Sequence, residues 1–163
     1  MRWFDTVKSP KLKSAKRVVS NTPSGLWKKC SQCGEIIQSL KLVDNQNVCP
    51  YCNHHFRLTA RERIESLLDE GSLQPFKENY ATKDPLIFTD KKPYKERLVQ
   101  AREKTGNLDS VICGLGSIEG QKVSIAVMDF QFMGGSMGVV AGEKVSAAMD
   151  KALEEKSPAV VIS

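Results

Sequence analysis

The chain has 163 residues, 40% hydrophobic and 26% charged, with a formal net charge of +5. These proportions suit one modest globular core with room for a small satellite module, and they exclude a fibrous or low-complexity chain. No apolar run approaches the roughly 18 to 20 residues of a membrane span, and the opening MRWFDTVKSPKLKSAKRVVS has cations but not the apolar stretch of a secretory leader. The expectation is a cytoplasmic protein, where closely spaced cysteines bind metal or do redox work more often than they form structural disulfides.

The positive charge is concentrated at the N-terminus. Residues 1 to 29 hold six Lys, two Arg and one Asp, a net +7, which leaves about −2 for the rest. Residues 1 to 25 read as a basic, disordered tail. The same charge could track phosphates, with Trp3, Phe4 and Trp27 available to stack on bases. Trp27 could equally cap a small core.

Residues 26 to 57 contain four of the five cysteines, in the stretch KCSQCGEIIQSLKLVDNQNVCPYCNHH. Cys30, Cys33, Cys49 and Cys52 form C-x2-C-x15-C-x2-C, the spacing of a four-thiolate tetrahedral Zn²⁺ site in which two turn-borne pairs supply opposite edges. Gly34 and Asn53 follow the two pairs, where the chain must turn with positive φ. The intervening EIIQSLKLVDNQNV reads as two short strands turning at Asp44-Asn45, the pattern of a zinc ribbon. A redox site remains the alternative. His54 and His55 read as surface side chains beside the second knuckle. A four-thiolate zinc has no open position, so the ribbon is a fastener or a binding face rather than a catalytic centre.

Residues 58 to 163 read as a second, α/β unit. Thr59-Ala60-Arg61-Glu62 is a capping box that starts a helix with Ile64, Leu67 and Leu68 on one face and Gly71 as its stop. In PYKERLVQAREKTG, Tyr94, Leu98 and Ala101 recur at helical spacing between Pro93 and Gly106. SVICGLGSI and QKVSIAVMDF read as a strand hairpin turning at Glu119-Gly120, with Cys113 as a small buried hydrophobe. A strand ending near Phe130 then runs into Met133-Gly134-Gly135-Ser136-Met137-Gly138. A helix follows with Val145, Ala148, Met149, Ala152 and Leu153 on one face, then Pro158 and the strand AVVIS.

The strand, Gly-rich loop, helix order lets backbone N–H groups approach an anionic ligand, with the loop glycines placed at the helix start. It also describes a plain tight turn. Neither familiar phosphate loop is present, because Gly142 is followed by Glu143 and Gly114-Leu115-Gly116 by Glu119 where a third glycine should stand. The chain has no recognisable Ser/His/Asp set, carboxylate pair or catalytic metal motif.

From about Trp27 onward, the ribbon, LTARERIESLLDEGS and AVMDFQFMGGSMGVVAGEKVSAAMDKALEEKSP resemble the β subunits of bacterial acetyl-CoA carboxylase carboxyltransferases. The resemblance implies a zinc ribbon followed by the first part of a crotonase-like ββα spiral. It further implies an α subunit as partner, together with biotin carboxyl carrier protein and biotin carboxylase. Carboxybiotin on the carrier would be the co-substrate, and acetyl-CoA would become malonyl-CoA for fatty-acid synthesis. Such chemistry asks side chains for little, since aimed backbone N–H groups can stabilise the thioester enolate. Gly134, Gly135 and Ser136 are the candidate substrate-binding residues. In the family, AVVIS continues into a Ser-Gly-Gly-Ala-Arg stretch at the oxyanion hole, beyond Ser163, so no catalytic residue is assigned and the chain alone is expected to be inactive. A zinc-ribbon nucleic-acid-binding module is the contending reading.

Overall fold

A computed structural model describes residues 25 to 163. The basic tail, with Trp3 and Phe4, lies outside the described residues apart from Gly25. The N-terminal unit pairs β1 (Trp27–Lys29) with β2 (Ile36–Gln38) antiparallel, Lys28 opposite Ile37. The second strand expected between the knuckles is instead a helix, α1 (Ser39–Asp44). Ser39 N–H donates to Leu26 O at 2.9 Å, and its hydroxyl donates to Gly25 O, which turns the chain out of the sheet. From there only Leu42 enters the core while Leu40 and Val43 stay exposed, a helical rather than an alternating pattern. Gln46 and Asn47, at φ 51° and 58°, bring the chain back to Cys49. Trp27 does not cap this core: it is 58% exposed on the outer face, and Phe56 packs against Ile37, Leu42 and the cysteines instead.

The capping box is present. Glu62 N–H donates to Thr59 Oγ1 at 3.1 Å and Thr59 N–H donates to Glu62 Oε2 at 2.7 Å, opening α2 (Ala60–Leu67). The helix stops earlier than Gly71. Leu68 is already extended, with its side chain in the core, whereas Leu67 is 37% exposed. Gly71 serves the following turn, at φ 70°. A two-residue strand unread in the sequence, β3 (Gln74–Pro75), precedes α3 (Tyr94–Thr105), which closes on Gly106 in the left-handed conformation.

The hairpin of β4 (Val111–Ile118) and β5 (Gln121–Met128) turns at Glu119-Gly120 as expected. After it come α4 (Val139–Glu154) and β6 (Ala159–Ile162), the latter parallel to β5, giving a sheet in the order β3-β4-β5-β6. Strand alternation sends Val123, Ile125 and Val127 to one face, against Ala60, Ile64 and Leu68 of the α2 segment. Ala126 points to the other, with Val111, Cys113, Ala141 and Ala148. The sheet is therefore covered on both faces by helices, one ββα turn of the expected spiral.

Two glycines of the hairpin have a packing role. A Cβ on Gly114 would lie 2.9 Å from Gln74 O, and one on Gly116 2.6 Å from Leu68 Cδ1. Their absence lets β3 and α2 close onto β4. The buried face of α4 differs from the expected one. Ala141, Lys144, Ala148 and Ala152 lie against the sheet, while Met149 and Leu153, one residue further round the helix, are 48% and 78% exposed. Small side chains let α4 approach the sheet closely, which leaves the larger ones outside.

Candidate metal centre and glycine-rich loop

The four ribbon cysteines converge. Backbone turns fold each pair back on itself, with Gly34 N–H donating to Cys30 O at 3.0 Å and Asn53 N–H to Cys49 O at 2.9 Å. Gly34 and Asn53 have the positive φ their positions predicted, 80° and 58°. Cys30 Sγ lies 3.7 Å from Cys52 Sγ, Cys33 Sγ lies 3.8 Å from Cys49 Sγ, and all four sulfurs lie within 4.8 Å of one another. Bonds of about 2.3 Å at tetrahedral angles put sulfurs about 3.8 Å apart, so the cluster has the dimensions of a four-thiolate cage and could hold one metal ion. No disulfide links them.

The protons on these thiols are unevenly held. The Cys33 backbone N–H draws Cys30 down to about 7, while burial pushes Cys52 up to about 12. A bound cation would displace all of the protons, which makes affinity fall with acid. His54 is not among the clustered ligands: its Nε2 lies 3.3 Å from Ser31 Oγ and its ring meets Phe56 edge-on. His55 is exposed and bridges to Val48 through its backbone.

The glycine-rich loop is built differently from its sequence reading. Gly134 and Gly135 do not open the helix; they sit in a turn before it, and Gly138 is the N-cap of α4. Met133, Gly134 and Gly135 have φ of 50°, 73° and 74°, three left-handed residues in succession. Gly135 N–H donates to Phe132 O at 2.9 Å, and Ser136 O accepts from Ser110 Oγ at 2.7 Å. The glycines are needed for backbone conformation rather than for room below. A Cβ on Gly134 would meet nothing within 4 Å, and one on Gly135 only ordinary contacts from 3.8 Å with Phe130 and Met128. The space above the turn is open.

The structure brings to this loop residues that the sequence did not single out. Phe132 is 2% exposed and packs with Leu98 and Ala101 of α3. Asp129 and Ser110, 3% and 0% exposed, lie beneath the turn. Away from the loop, Lys144 is 5% exposed and donates to Val111 O of β4 at 3.0 Å. Burial pushes the neighbouring Cys113 thiol up to about 11 despite Lys144, so it is held as an inert thiol. The cysteine cluster and the loop lie in different parts of the fold, which meet where the Arg57 guanidinium stacks 4.5 Å from the centroid of Phe130. No helix among the described residues is long and apolar enough to cross a membrane.

Comparison with known proteins places these features. Residues 53–163 match the model of the carboxyl transferase domain. The acetyl-coenzyme A carboxylase carboxyl transferase subunit beta of Citrifermentans bemidjiense is 45% identical over the whole chain, which covers 57% of that protein. The subunit of the same name from a Synechococcus strain is 49% identical over 90% of the chain and 47% of its own length. The chain thus spans about half the length of the curated relatives it matches. Among solved structures, transcarboxylase 12S with methylmalonyl-coenzyme A and methylmalonic acid bound superposes with a TM-score of 0.51 at 31% identity, over 64% of this chain and 18% of that one. A single-chain long-chain acyl-CoA carboxylase shares the fold at a TM-score of 0.52, over 64% of this chain and 11% of that one, with 20% identity. A crotonase-like ββα turn bearing a glycine-rich loop, and a family match that runs from the second knuckle to the last residue, lead to one assignment: the chain belongs to the carboxyl transferase domain family.

Proposed function

We propose that this chain is part of the β subunit of an acetyl-CoA carboxylase carboxyltransferase. The subunit moves a carboxyl group from carboxybiotin on the biotin carboxyl carrier protein to acetyl-CoA, giving malonyl-CoA for fatty-acid synthesis. The observation that carries the reading is the 45% identity along all 163 residues to a relative so named. Its partners are an α subunit, the carrier and biotin carboxylase, in the cytoplasm, where four reduced thiols suit a metal.

The division of labour follows the chain. Residues 26 to 57 form a ribbon that Zn²⁺, held by Cys30, Cys33, Cys49 and Cys52, fastens without taking part in chemistry. Residues 58 to 163 are the first part of the catalytic unit. Gly134, Gly135 and Ser136 line the acyl-CoA or biotin side of the pocket, where an open backbone turn admits close approach of a ligand. In the transfer, the biotin N–C bond breaks, the freed nitrogen accepts a methyl proton of acetyl-CoA, and the enolate carbon bonds to the carboxyl carbon. The protein holds the two reactants together and supplies N–H groups to the developing enolate oxygen.

The test uses the full-length polypeptide assembled with its α partner. Gly134→Ala adds one methyl over the open turn, while Gly138→Ala, at φ −97° with nothing within 4 Å, adds one without left-handed strain. Gly134→Ala should lower kcat/KM for acetyl-CoA or for the carrier at least tenfold, with Gly138→Ala much closer to wild type. Equal turnover in both variants would identify the loop as a plain turn.

A further inference from the structure

The turn that carries Gly134 and Gly135 is closed by its own Gly135 N–H to Phe132 O bond and is held from outside as well. Met133 sits at φ 50°, a conformation that side-chain-bearing residues rarely adopt unless their surroundings impose it. Gly134 and Gly135 take the left-handed region freely, but Met133 does not, and the contacts that hold the loop from outside are polar, buried and made from a single segment.

Residues 107 to 110, which join α3 to β4, grip both ends of the loop. At the entrance, Asp129 N–H donates to Ser110 O at 2.7 Å, and the Asp129 carboxylate accepts from Asn107 Nδ2 at 2.9 Å through Oδ2. Its other oxygen accepts from Gln131 N–H at 2.9 Å, and its carbonyl from Phe132 N–H at 3.0 Å. At the exit, Ser110 Oγ donates to Ser136 O at 2.7 Å. Asp129 takes part in none of the ion pairs among the described residues. Burying a carboxyl group without an ion-pair partner is costly unless it is hydrogen-bonded, and Asp129 has such bonds to both the loop and the 107 to 110 segment. Beneath the loop these polar groups are bonded to the backbone or to one another. Above it Gly134 and Ser136 face solvent.

We infer that Ser110, Asp129 and Asn107 are positioning residues, a clamp that sets the height and angle of the Gly134-Gly135-Ser136 backbone toward the bound reactant. The inference rests on the proposed function of that loop. It predicts that loosening the clamp impairs turnover through the loop, without the side chains touching substrate. Displacements of about 1 Å at a reacting centre can cost on the order of a hundredfold in rate.

The fold supplies a matched control. Ser124 is also 0% exposed, and its Oγ donates to Ala148 O at the same 2.7 Å, but it lies mid-strand beneath α4. Ser110→Ala and Ser124→Ala each delete one buried hydroxyl bonded to a carbonyl, so their melting temperatures should fall by similar amounts. In the full-length subunit assembled with its α partner, Ser110→Ala should lower kcat/KM for acetyl-CoA at least tenfold. It should also speed exchange of the Gly135 amide, which is bonded to Phe132 O, by a similar factor, while Ser124→Ala changes neither. Asn107→Ala, which removes a half-buried donor to Asp129, serves if Ser110→Ala does not fold, and should act in the same direction. Equal turnover in Ser110→Ala and Ser124→Ala would overturn the inference, as would lost turnover with an unloosened loop. An inactive wild-type assembly would count against the functional reading, and the exchange rates would still decide whether the clamp holds the loop.

Discussion

Replacing Cys49 with serine tests how the ribbon is held together. Cys49 is 0% exposed, and its sulfur forms one edge of the cluster with Cys33 at 3.8 Å. The core around it is small, with only Ile37 and Leu42 as fully buried aliphatic side chains among residues 25 to 57. So little apolar burial would leave a fold of this size dependent on a metal held by the four thiols. Structural zinc sites of this kind bind with apparent free energies of about 10 to 16 kcal/mol, which shared over four thiolates is about 2.5 to 4 kcal/mol each. At about 1.4 kcal/mol per decade, Cys49→Ser should weaken Zn²⁺ binding by about a hundred- to a thousandfold. Chelator competition gives the affinity, and amide exchange of residues 26 to 57 against residues 60 to 67 shows which part unfolds. The variant should lose protection in the ribbon at chelator concentrations that leave the wild type intact, with α2 unaffected. Undiminished affinity, or a ribbon equally protected without metal, would refute the reasoning.

Further perturbations read other parts of the fold. Gly142 lies inside α4, where an added methyl would meet nothing within 4 Å, so Gly142→Ala should stabilise by about 0.5 to 1 kcal/mol in thermal or denaturant unfolding. Thr59→Ala removes the capping box of α2 and should cost about 1 kcal/mol in the same assay. Ile125→Ala empties a fully buried site between α2 and the sheet and should cost about 2 to 5 kcal/mol. Ser117 Oγ and the N–H groups of Gly120 and Glu119 hold the Asp69 carboxyl below its ordinary 3.8. Its contribution is therefore complete above that value and disappears as pH falls through the lower folded one. The stability of Asp69→Asn, measured from pH 5 down to pH 2, should fall less steeply than that of the wild type.

The elements most legible in the sequence were those fixed by local chemistry. The Thr59-Glu62 cap, the Gly106 stop, the Glu119-Gly120 turn and the cysteine spacing each satisfy a backbone or ligand requirement within a few residues. Readings that depended on tertiary packing fared less well. SLKLVD had the apolar content of a strand, but Ser39 bonding back to Leu26 and Gly25 made it a helix. Met149 and Leu153 have the hydrophobicity of core residues, yet the alanines beside them let α4 settle closer to the sheet. Ser110 and Asp129 gave no signal, because a lone serine and a lone aspartate near strand ends are ordinary. Only the fold puts both beneath one loop.

The activity proposed for the assembled subunits is carboxyl transfer between biotin and acetyl-CoA. Its most direct measurement is the reverse reaction, biotin-dependent loss of the carboxyl group from labelled malonyl-CoA. Acetyl-CoA should form when the full-length polypeptide and its α partner are both present, and not when the α partner is left out. A folded, assembled complex that binds malonyl-CoA yet transfers nothing to biotin would contradict it.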